Sequence, residues 1–248
     1  MQDIKISLVT VAFNAQNTID RCIASVMRQK FNNIEYIVID GNSTDDTIHI
    51  IEQYRDKIDF YISEPDKGIY DAMNKGIAQA TGDIIGTLNA DDYYADDNVL
   101  NDVATAFAEQ NTNILYGNLD YVDLSGKVIR KWRSGKYKSG MFNWGWMPPH
   151  PTFYCRAGLF KTLGSYSLDY GSAADYELML RFIHSNKANV FHLNKVMVKM
   201  VIGGVSNKSL RNRVQAMRFD FKAMRNNDIL LPILTLLLKP LRKIVQFF

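Results

Sequence analysis

Short apolar segments alternate with helical patterns over the first ninety residues, and this alternation limits the fold more than any other feature. Apolar runs at residues 4–11, 36–39, 60–62 and 84–88 predict strands. Between them, helical spacing and N-terminal capping residues predict helices that begin near residues 17, 43 and 70. Parallel strands joined by helices need right-handed crossovers. The sequence therefore predicts an α/β fold with a largely parallel, twisted sheet flanked by helices.

Candidate binding residues follow the ends of these strands. In a parallel sheet, ligands bind beyond the carboxyl ends of the strands. Phe13 and Asn14 follow the first predicted strand, Asp40 ends the second, and three polar residues end or follow the fourth: Asn89, Asp91 and Asp92. We therefore expect these side chains to converge on one edge of the sheet.

Asp91 and Asp92 are adjacent carboxylates directly after a buried strand. Mg²⁺ and Mn²⁺ prefer oxygen ligands and share them with phosphates, so this pair is a candidate cation site. Carboxylates in such a position also cap helices or face solvent. Spacing alone leaves both interpretations open.

Asp40, Asp71 and Asn74 are further candidates for ligand contact. An aspartate at a strand end, here followed by Gly41, accepts a hydrogen bond from a base or ribose, or instead forms an Asx-turn. Asp71 and Asn74 are three residues apart on a predicted helix and share a face. Gly68 before them allows close backbone approach to a ligand, although an ordinary polar helix face has the same pattern.

Asp175 stands at the start of a predicted helix, after a run of small residues. Such a carboxylate can act as a general base toward an acceptor hydroxyl, or can serve only as a helix N-cap. His150 lies in an aromatic segment rich in Gly and Pro. It is a candidate for contact with acceptor or diphosphate, and an ordinary loop histidine is the alternative.

Five segments in this order resemble family 2 glycosyltransferases, which have the nucleotide-sugar-binding GT-A fold. They are VTVAFN (9–14), EYIVIDGNSTDDT (35–47), DKGIYDAMNKG (66–76), NADD (89–92) and ADYELMLR (174–181). The resemblance extends over residues 4–206. Five motifs in sequence are far more specific than an isolated Asp-x-Asp.

The resemblance implies a direct displacement that transfers a sugar, with inversion, from a nucleotide-sugar donor to an acceptor hydroxyl. It places Asp40 against the base of the nucleotide, with UDP as the default. The other implied donor contacts are Thr10, Phe13, Asn14, Asp71 and Asn74.

The resemblance further implies that Asp91, with help from Asp92, holds Mn²⁺ or Mg²⁺ against the diphosphate. Asp175 would deprotonate the acceptor hydroxyl. One position departs from the family pattern, because the first acidic residue of Asp-x-Asp is Asn89 here. An asparagine adds no charge, so the metal contact is left to Asp91 and Asp92.

The end of the chain differs in composition from the rest. We predict a GT-A domain over residues 1–206 and a helical segment over residues 207–248. Residues 1–194 hold 18 Lys and Arg against 24 Asp and Glu, whereas residues 195–248 hold 11 against 2. An apolar run over 229–238 precedes a basic run, and Pro232 and Pro240 are expected to interrupt any helix. This pattern predicts contact with an anionic membrane, and packing on the body or in a homodimer is the alternative.

The implied setting is bacterial surface-polysaccharide synthesis with a glycan or lipid-linked glycan acceptor. The N-terminus lacks a signal-peptide pattern, and no apolar run reaches the roughly 20 residues of a membrane-spanning helix. We therefore expect a cytoplasmic protein, peripheral on the inner face of the plasma membrane. Cys22 and Cys155 give no disulfide framework. No nucleic-acid-binding motif is present, so nucleic acid is not an expected partner.

Two other classes of protein fit less well. A nucleotidyltransferase or a dinucleotide-dependent oxidoreductase needs a Gly-rich loop after the first strand, and residues 11–17 contain no glycine. A non-catalytic nucleotide-sugar-binding protein of the same fold stays open as the main alternative. The presence of Asp91, Asp92 and Asp175 favours the enzyme.

Overall fold

The computed structural model of the chain describes residues 4–202, 210–244 and 246. The strands are β1 Ile6–Ala12, β2 Ile34–Asp40, β3 Phe60–Ser63, β4 Ile84–Asn89, β5 Asp92–Tyr94, β6 Ile114–Val122, β7 Val128–Trp132, β8 Tyr154–Arg156 and β9 Val190–Val201. The α-helices are α1 Ile19–Met27, α2 Thr47–Glu52, α3 Ile69–Gln79, α4 Val99–Glu109, α5 Ala157–Leu163, α6 Ala174–Met179, α7 Leu210–Asn226 and α8 Pro232–Ile244.

These strands form one mixed sheet in the order β3-β2-β1-β4-β8-β6-β9-β5, with β7 paired to β6. The first four strands in this order are parallel, as the alternation of strand and helix predicts. In the second half, β6 and β9 are parallel, and the other pairs are antiparallel. The sheet is therefore not largely parallel throughout, because short turns such as that between β6 and β7 join antiparallel strands without a helical crossover.

Side chains along β1 alternate between two apolar cores on opposite faces of the sheet. Ile6 and Leu8 pack with buried residues of α1, α2 and α4. Val9 and Val11 pack with buried residues of α3 and α6. Because successive side chains of a strand point to opposite faces, a strand covered by helices on both faces has a continuous apolar run in its sequence.

Strand β9 is the largest element that the sequence pattern did not predict. Lys195 and Lys199 interrupt its apolar residues, and most of its side chains are only partly buried. It nevertheless pairs with β6 on one side and with β5 on the other. The pairing of β5 with β9 places Asp92 opposite Met200, and so fixes the backbone that carries the candidate metal ligands.

Helix α8 docks on the body of the protein through one face. The buried Thr235 hydroxyl donates a hydrogen bond to the Asn143 carbonyl at 2.6 Å. The Arg242 guanidinium donates through Nε to the Trp144 carbonyl at 2.9 Å. Packing on the body, one of the two alternatives for this segment, is therefore observed. The boundary predicted at residues 206 and 207 lies outside the described residues.

The opposite face of α8 and the segment before it are apolar and exposed, through Leu230, Leu231, Ile233, Leu234, Leu237 and Leu241. Pro232 occupies the first position of α8, where a missing N–H costs little, and the helix continues through Pro240. The expectation that both prolines interrupt the helix is therefore wrong. Among the described residues, every helix is too short or too polar to cross a membrane.

Candidate active site

The register of three neighbouring strands brings the predicted site residues to one edge of the sheet. Ala12 of β1 pairs with Asp40 of β2, and Val11 of β1 pairs with Asn89 of β4. Asp40 and Asn89 therefore lie on either side of the end of β1, where Phe13 and Asn14 follow. This agrees with the convergence expected from the sequence.

Asp91 and Asp92 lie in the turn after β4 and at the start of β5. Asp92 is 1% exposed, and its Oδ1 accepts no hydrogen bond from any residue that the structure describes. Burial, and then the charge of Asp91, raises the pKa of Asp92 well above its usual value. Burial also raises the pKa of Asp91. Neither residue caps a helix, because the N-cap of α4 is Asn98.

His150 connects this acidic turn to the predicted base. Its Nδ1 lies 3.5 Å from Asp175 Oδ2, and its Nε2 lies 3.4 Å from the Asn89 side-chain nitrogen. An amide nitrogen only donates, so His150 Nε2 accepts in this contact, and Nδ1 is left to face the Asp175 carboxylate. His150 therefore contacts two of the other predicted site residues, and its contact with acceptor or diphosphate stays a prediction.

Asp175 lies in the first turn of α6, with a side chain that is 15% exposed. Its Oδ1 accepts a hydrogen bond from the Tyr176 N–H at 2.7 Å. The N-cap of α6 is Ala173, so capping does not explain Asp175. Tyr70 also contacts this carboxylate, and burial and the charge of Asp175 raise the pKa of Tyr70 well above its usual value.

Asp40 is fully buried and forms an Asx-type turn. Its Oδ2 accepts hydrogen bonds from the Ser43 N–H at 2.9 Å and the Ser63 hydroxyl at 2.6 Å, and its Oδ1 accepts from the Ser43 hydroxyl. The Asn14 N–H donates to the Ser43 oxygen at 2.9 Å. Asp40 thus shapes the loop that faces Asn14, and the side chain itself is withdrawn from the surface.

The two other residues predicted for this pocket lie at different depths. Thr10 is fully buried and accepts a hydrogen bond from the Tyr36 hydroxyl at 3.1 Å, so it lies beneath the edge of the sheet. Phe13 is 64% exposed and its ring packs beside Gly41. A Cβ on Gly41 would also overlap the Asp66 carboxylate, at 2.4 Å. Of the residues predicted for this pocket, Phe13 and Asn14 are therefore exposed, whereas Thr10 and Asp40 are buried.

Asp71 and Asn74 both make contacts that order the polypeptide around α3. Asp71 accepts a hydrogen bond from the Lys67 N–H at 3.0 Å. The Asn74 amide pairs with the backbone of Tyr166, donating at 2.8 Å and accepting at 2.9 Å. Since both polar atoms of Asn74 are used, its position fixes Tyr166, whose ring lies 5.3 Å from that of Tyr70.

Sequence reasoning missed four residues around the acidic turn. They are Tyr70, which contacts Asp175, and Tyr121, Arg130 and Arg21; the charge of Arg21 acts to lower the pKa of Asp92 against the effect of burial. Burial first, and then the charges of Asp92 and Asp175, raises the pKa of Tyr121 against the opposing effect of Arg130. The Arg130 guanidinium stacks 3.7 Å from the Tyr121 ring centroid. Tyr121, Arg130 and Arg21 lie outside the five family segments, and Tyr70 lies within one of them without being marked as a site residue, because separate elements bring these side chains together.

The acidic turn suits a cation that is shared with a substrate phosphate. Asp92 Oδ1 and Asn89 Oδ1 are buried oxygen atoms without a hydrogen-bond partner among the described residues. Within the same part of the chain, no group of three or more His, Cys, Asp and Glu side chains forms a complete metal site. Because Mg²⁺ is usually held by one or two carboxylates together with phosphates and water, the residues present fit such an ion.

Comparisons with known proteins identify the family of the chain. The sequence profile of glycosyl transferase family 2 matches residues 7–166. An uncharacterized glycosyltransferase of Mycobacterium tuberculosis is 33% identical over 188 residues, 71% of this chain and 68% of that protein. A PGL/p-HBAD biosynthesis glycosyltransferase of Mycobacterium bovis is 29% identical over 207 residues, 81% of this chain and 78% of that protein.

Solved structures share the fold. TarS 1–349 of S. aureus in complex with UDP matches with a TM-score of 0.68 at 21% identity, over 90% of this chain and 66% of that one. The mannosyltransferase PcManGT of Pyrobaculum calidifontis, in complex with GDP-Man and Mn²⁺, matches with a TM-score of 0.69 at 14% identity, over 96% and 72%. Together with the site, these likenesses define a glycosyltransferase with the GT-A fold, as predicted. The chain belongs to glycosyl transferase family 2.

Proposed function

We propose that this glycosyltransferase moves a hexosyl or N-acetylhexosaminyl group from a nucleotide-sugar donor to an acceptor hydroxyl with inversion. One observation carries the proposal. His150 joins Asp175, the proposed base, to Asn89, which in turn lies 3.4 Å from Asp92. A base and a cation-binding turn are therefore held side by side, as in-line displacement from a nucleoside diphosphate requires.

The donor would bind across the ends of β1, β2 and β4. Phe13 offers an exposed ring for stacking on the base, and the loop shaped by Asp40 offers backbone groups beside it. UDP is the nucleotide that we favour. One neighbour of this fold is a TarS complex with UDP-GlcNAc, whereas PcManGT is a complex with GDP-Man, so GDP is the first rival.

Asp91 and Asp92 would hold Mn²⁺ or Mg²⁺ between the protein and the diphosphate. A divalent cation there offsets the charge that builds on the departing nucleoside diphosphate. Asn89 contributes no charge and instead bonds to His150, so it orients the imidazole between the two acidic groups.

Asp175 would take the proton of the acceptor hydroxyl while the hydroxyl oxygen forms its bond to the anomeric carbon. The bond from that carbon to the diphosphate oxygen breaks on the opposite face, and its electron pair leaves with the nucleotide. His150 and Tyr70 would keep the carboxylate directed at the acceptor. A positioned base of this kind contributes roughly 10²–10⁴-fold to the rate.

Calorimetric titration of the purified protein tests the donor site. UDP, GDP and dTDP are each titrated with and without Mn²⁺, on the natural protein and on Asp91→Ala. We expect one nucleotide to bind in a manganese-dependent way and to bind more weakly to Asp91→Ala. Equal binding with and without manganese would remove the metal from the proposal.

The alternative is a protein that binds nucleotide sugars without transferring them. Its donor titration would be the same, so the discriminating measurement is release of the nucleoside diphosphate in the presence of candidate acceptors. Release that depends on Asp175 supports the enzyme. Tight donor binding with no turnover for any lipid-linked or free glycan acceptor would support the alternative.

The acceptor that we propose is a lipid-linked glycan, met at an anionic membrane. The exposed face of α8 carries apolar side chains such as Leu237 and Leu241, and the cations Arg242 and Lys243 follow at the end of the helix, on the side that lines a cavity. This combination suits a helix lying in a membrane interface. The setting would be surface-polysaccharide synthesis on the cytoplasmic side of the membrane, and the same apolar face is the candidate contact for a homodimer.

A further inference from the structure

A cavity of about 600 Å³ lies between β7, the segment around Trp146 and α8. Its described lining contains none of the residues assigned above to donor, metal or base. Five of the lining residues are cationic and none is acidic. The cations are Lys131, Arg133, Lys239, Arg242 and Lys243.

Only part of this positive charge is balanced by the protein. Arg133 pairs with Asp120 at 2.6 Å, and Lys239 pairs with Asp220 at 2.7 Å. No carboxylate of the described residues forms an ion pair with the other three cations of the cavity: Lys131, Arg242 and Lys243. Like charges held together repel, so the cavity favours a ligand that carries more than one negative charge.

The electrostatic surroundings of Lys243 show the same excess. Desolvation by the surrounding protein, and then the charges of Lys239 and Arg130, lowers its pKa. Asp220 and Asp175 act in the opposite direction without reversing the shift. An anion between these side chains would relieve the repulsion.

The cavity also has an apolar wall. Trp132, Trp146 and Met147 line it beside the cations. Leu241, adjacent to the cationic Arg242, is 57% exposed on the outer face of α8. A ligand with a charged group and a hydrocarbon chain could therefore place the group among the cations while the chain continues along the exposed face of the helix.

The cavity lies next to the proposed base. The Lys239 ammonium is 3.5 Å from the centroid of the Tyr176 ring, and Tyr176 directly follows Asp175. Asp175 is also close enough for its charge to act on Lys243. An anion bound in the cavity would thus lie near the acceptor hydroxyl rather than near the donor base.

We propose that this cavity binds the diphosphate of a lipid-linked acceptor, whose first sugar then reaches Asp175. The inference rests on the proposed function, because it assigns a chemical class to the acceptor of that reaction. Arg presents several donors in a fixed plane, and Lys acts as a compact charge, so the set suits phosphate oxygens. A single carboxylate would leave two of the three cations without an opposing charge.

The test compares two variants that lose the same charge. Lys131→Ala/Lys243→Ala removes cations from the cavity, and Lys57→Ala/Lys161→Ala removes exposed lysines elsewhere. Each full-length protein is sedimented with phosphatidylcholine vesicles that carry either a long-chain alkyl diphosphate or phosphatidylglycerol at equal surface charge. We expect the natural protein and the control to prefer the diphosphate vesicles. The cavity variant should bind them roughly 30-fold more weakly.

Binding that is equal for the two vesicle types, or a loss that is equal for the two variants, would overturn the proposal. Equal binding would mean that ordinary phospholipid headgroups are the ligand, and equal loss would mean that only net charge matters. Titration with UDP and Mn²⁺ is run on the same variants. Retained nucleotide binding shows that the cavity variant is folded. If the natural protein binds no nucleotide but still prefers the diphosphate vesicles, the donor proposal fails and the cavity assignment survives.

Discussion

Three groups contact the Asp175 carboxylate and together hold it in one orientation. The Tyr176 N–H holds one oxygen at 2.7 Å, and the His150 ring lies 3.5 Å from the other. Tyr70 completes the group from α3. The Tyr176 N–H belongs to the same helix, α6, whereas His150 and Tyr70 come from other parts of the chain, so the carboxylate is positioned by its own helix together with the tertiary structure.

Replacement of this carboxylate by an amide separates catalysis from binding. In Asp175→Asn the shape of the side chain is kept but proton acceptance is lost, so we expect turnover to fall by roughly 10²–10⁴-fold. Donor binding should stay within about twofold, because the amide still accepts the Tyr176 hydrogen bond. Turnover and calorimetric titration are measured on the same preparation. Equal losses in both would show that Asp175 is structural.

Most candidate site residues that were found from the sequence stand in short continuous motifs, whereas His150 and partners such as Tyr121 and Arg130 do not. Asp91, Asp92 and Asp175 belong to short segments that can be recognised locally. The place of His150 could not be predicted, because its contacts to Asn89 and Asp175 depend on the path of the aromatic segment before it. The same reason applies to Tyr70, whose helical pattern gives no sign of the carboxylate 105 positions away in the sequence.

At the scale of elements, Glu35 ties the start of β2 to β1 and to the segment before β4. It accepts hydrogen bonds from the Lys5 ammonium at 2.9 Å, from the Ser7 hydroxyl, and from the backbone and hydroxyl of Thr81. Burial alone would raise the pKa of this carboxyl. The hydrogen bonds outweigh burial and lower its pKa to about 2.

A lowered pKa means that the charged form of Glu35 stabilises the fold. Its contribution is complete above the unfolded pKa of about 4.5 and is lost as the pH falls toward 2. The free energy of unfolding of Glu35→Gln should therefore be about 2 kcal/mol lower than that of the natural protein at neutral pH. This difference should shrink as the pH falls from about 4.5 to 2. Urea unfolding at several pH values measures it. Glu109→Gln, at an exposed position, is the control, and the same pH dependence in both variants would refute the assignment.

Gly145 allows the loop before His150 to meet the backbone of α8. A Cβ at this position would lie 2.7 Å from the Lys239 nitrogen and 2.8 Å from its Cα, and the φ of Gly145 is 76°. Gly135 has a similar φ of 66°, but a Cβ there would meet nothing within 4 Å. The two glycines therefore separate the effect of backbone conformation from the effect of helix docking.

Gly145→Ala should destabilise the protein by ~2–4 kcal/mol, because the substitution adds a clash with α8 to the cost of a left-handed alanine. Gly135→Ala should cost about 1 kcal/mol, from conformation alone. Urea unfolding gives both values, and limited proteolysis reports whether α8 has detached. A loss for Gly145→Ala no larger than that for Gly135→Ala would mean that α8 does not depend on this contact.

Elements with a continuous apolar or helical pattern were predictable, and elements defined by pairing were not. The four parallel strands and α3 follow directly from their residues. Strand β9 exists because β6 and β5 supply partners on both sides, which no local pattern records. The prediction of a break in α8 at Pro240 was wrong, since docking on the body holds the helix through the proline.

At the scale of the whole molecule, the two halves of the sheet position different groups of residues. The parallel half brings Asp40 and Asn89 to the edge where the donor is proposed to bind. The mixed half carries β7, which lines the basic cavity, and holds β5 through its pairing with β9. The alternation of strand and helix predicted the first half. The second half depends on long-range pairing, so only its short apolar runs were visible in the sequence.

The exposed leucines of α8 form an apolar stripe on the side of the helix opposite its docked face, and this stripe is the surface proposed to contact a membrane. Leu234, Leu237 and Leu241 lie on the exposed side of this helix, away from the contacts of Thr235 and Arg242 with the body. Replacing these leucines leaves the docking contacts in place. Truncation of residues 229–248 would remove both the stripe and the docked face, so it could not separate loss of membrane contact from loss of the docked helix.

Leu234→Ser/Leu237→Ser/Leu241→Ser should bind vesicles that contain phosphatidylglycerol roughly 100-fold more weakly than the natural protein, because each substitution removes about 1 kcal/mol of apolar burial in the interface. Sedimentation across a range of lipid concentrations measures the change. Leu124→Ser is the control, since Leu124 is 76% exposed but lies far from α8 in sequence. Sedimentation velocity of the natural protein and the triple variant without lipid tests the alternative, in which the apolar stripe is the contact of a homodimer. A dimer that the triple variant loses, together with unchanged vesicle binding, would assign the stripe to self-association instead of the membrane.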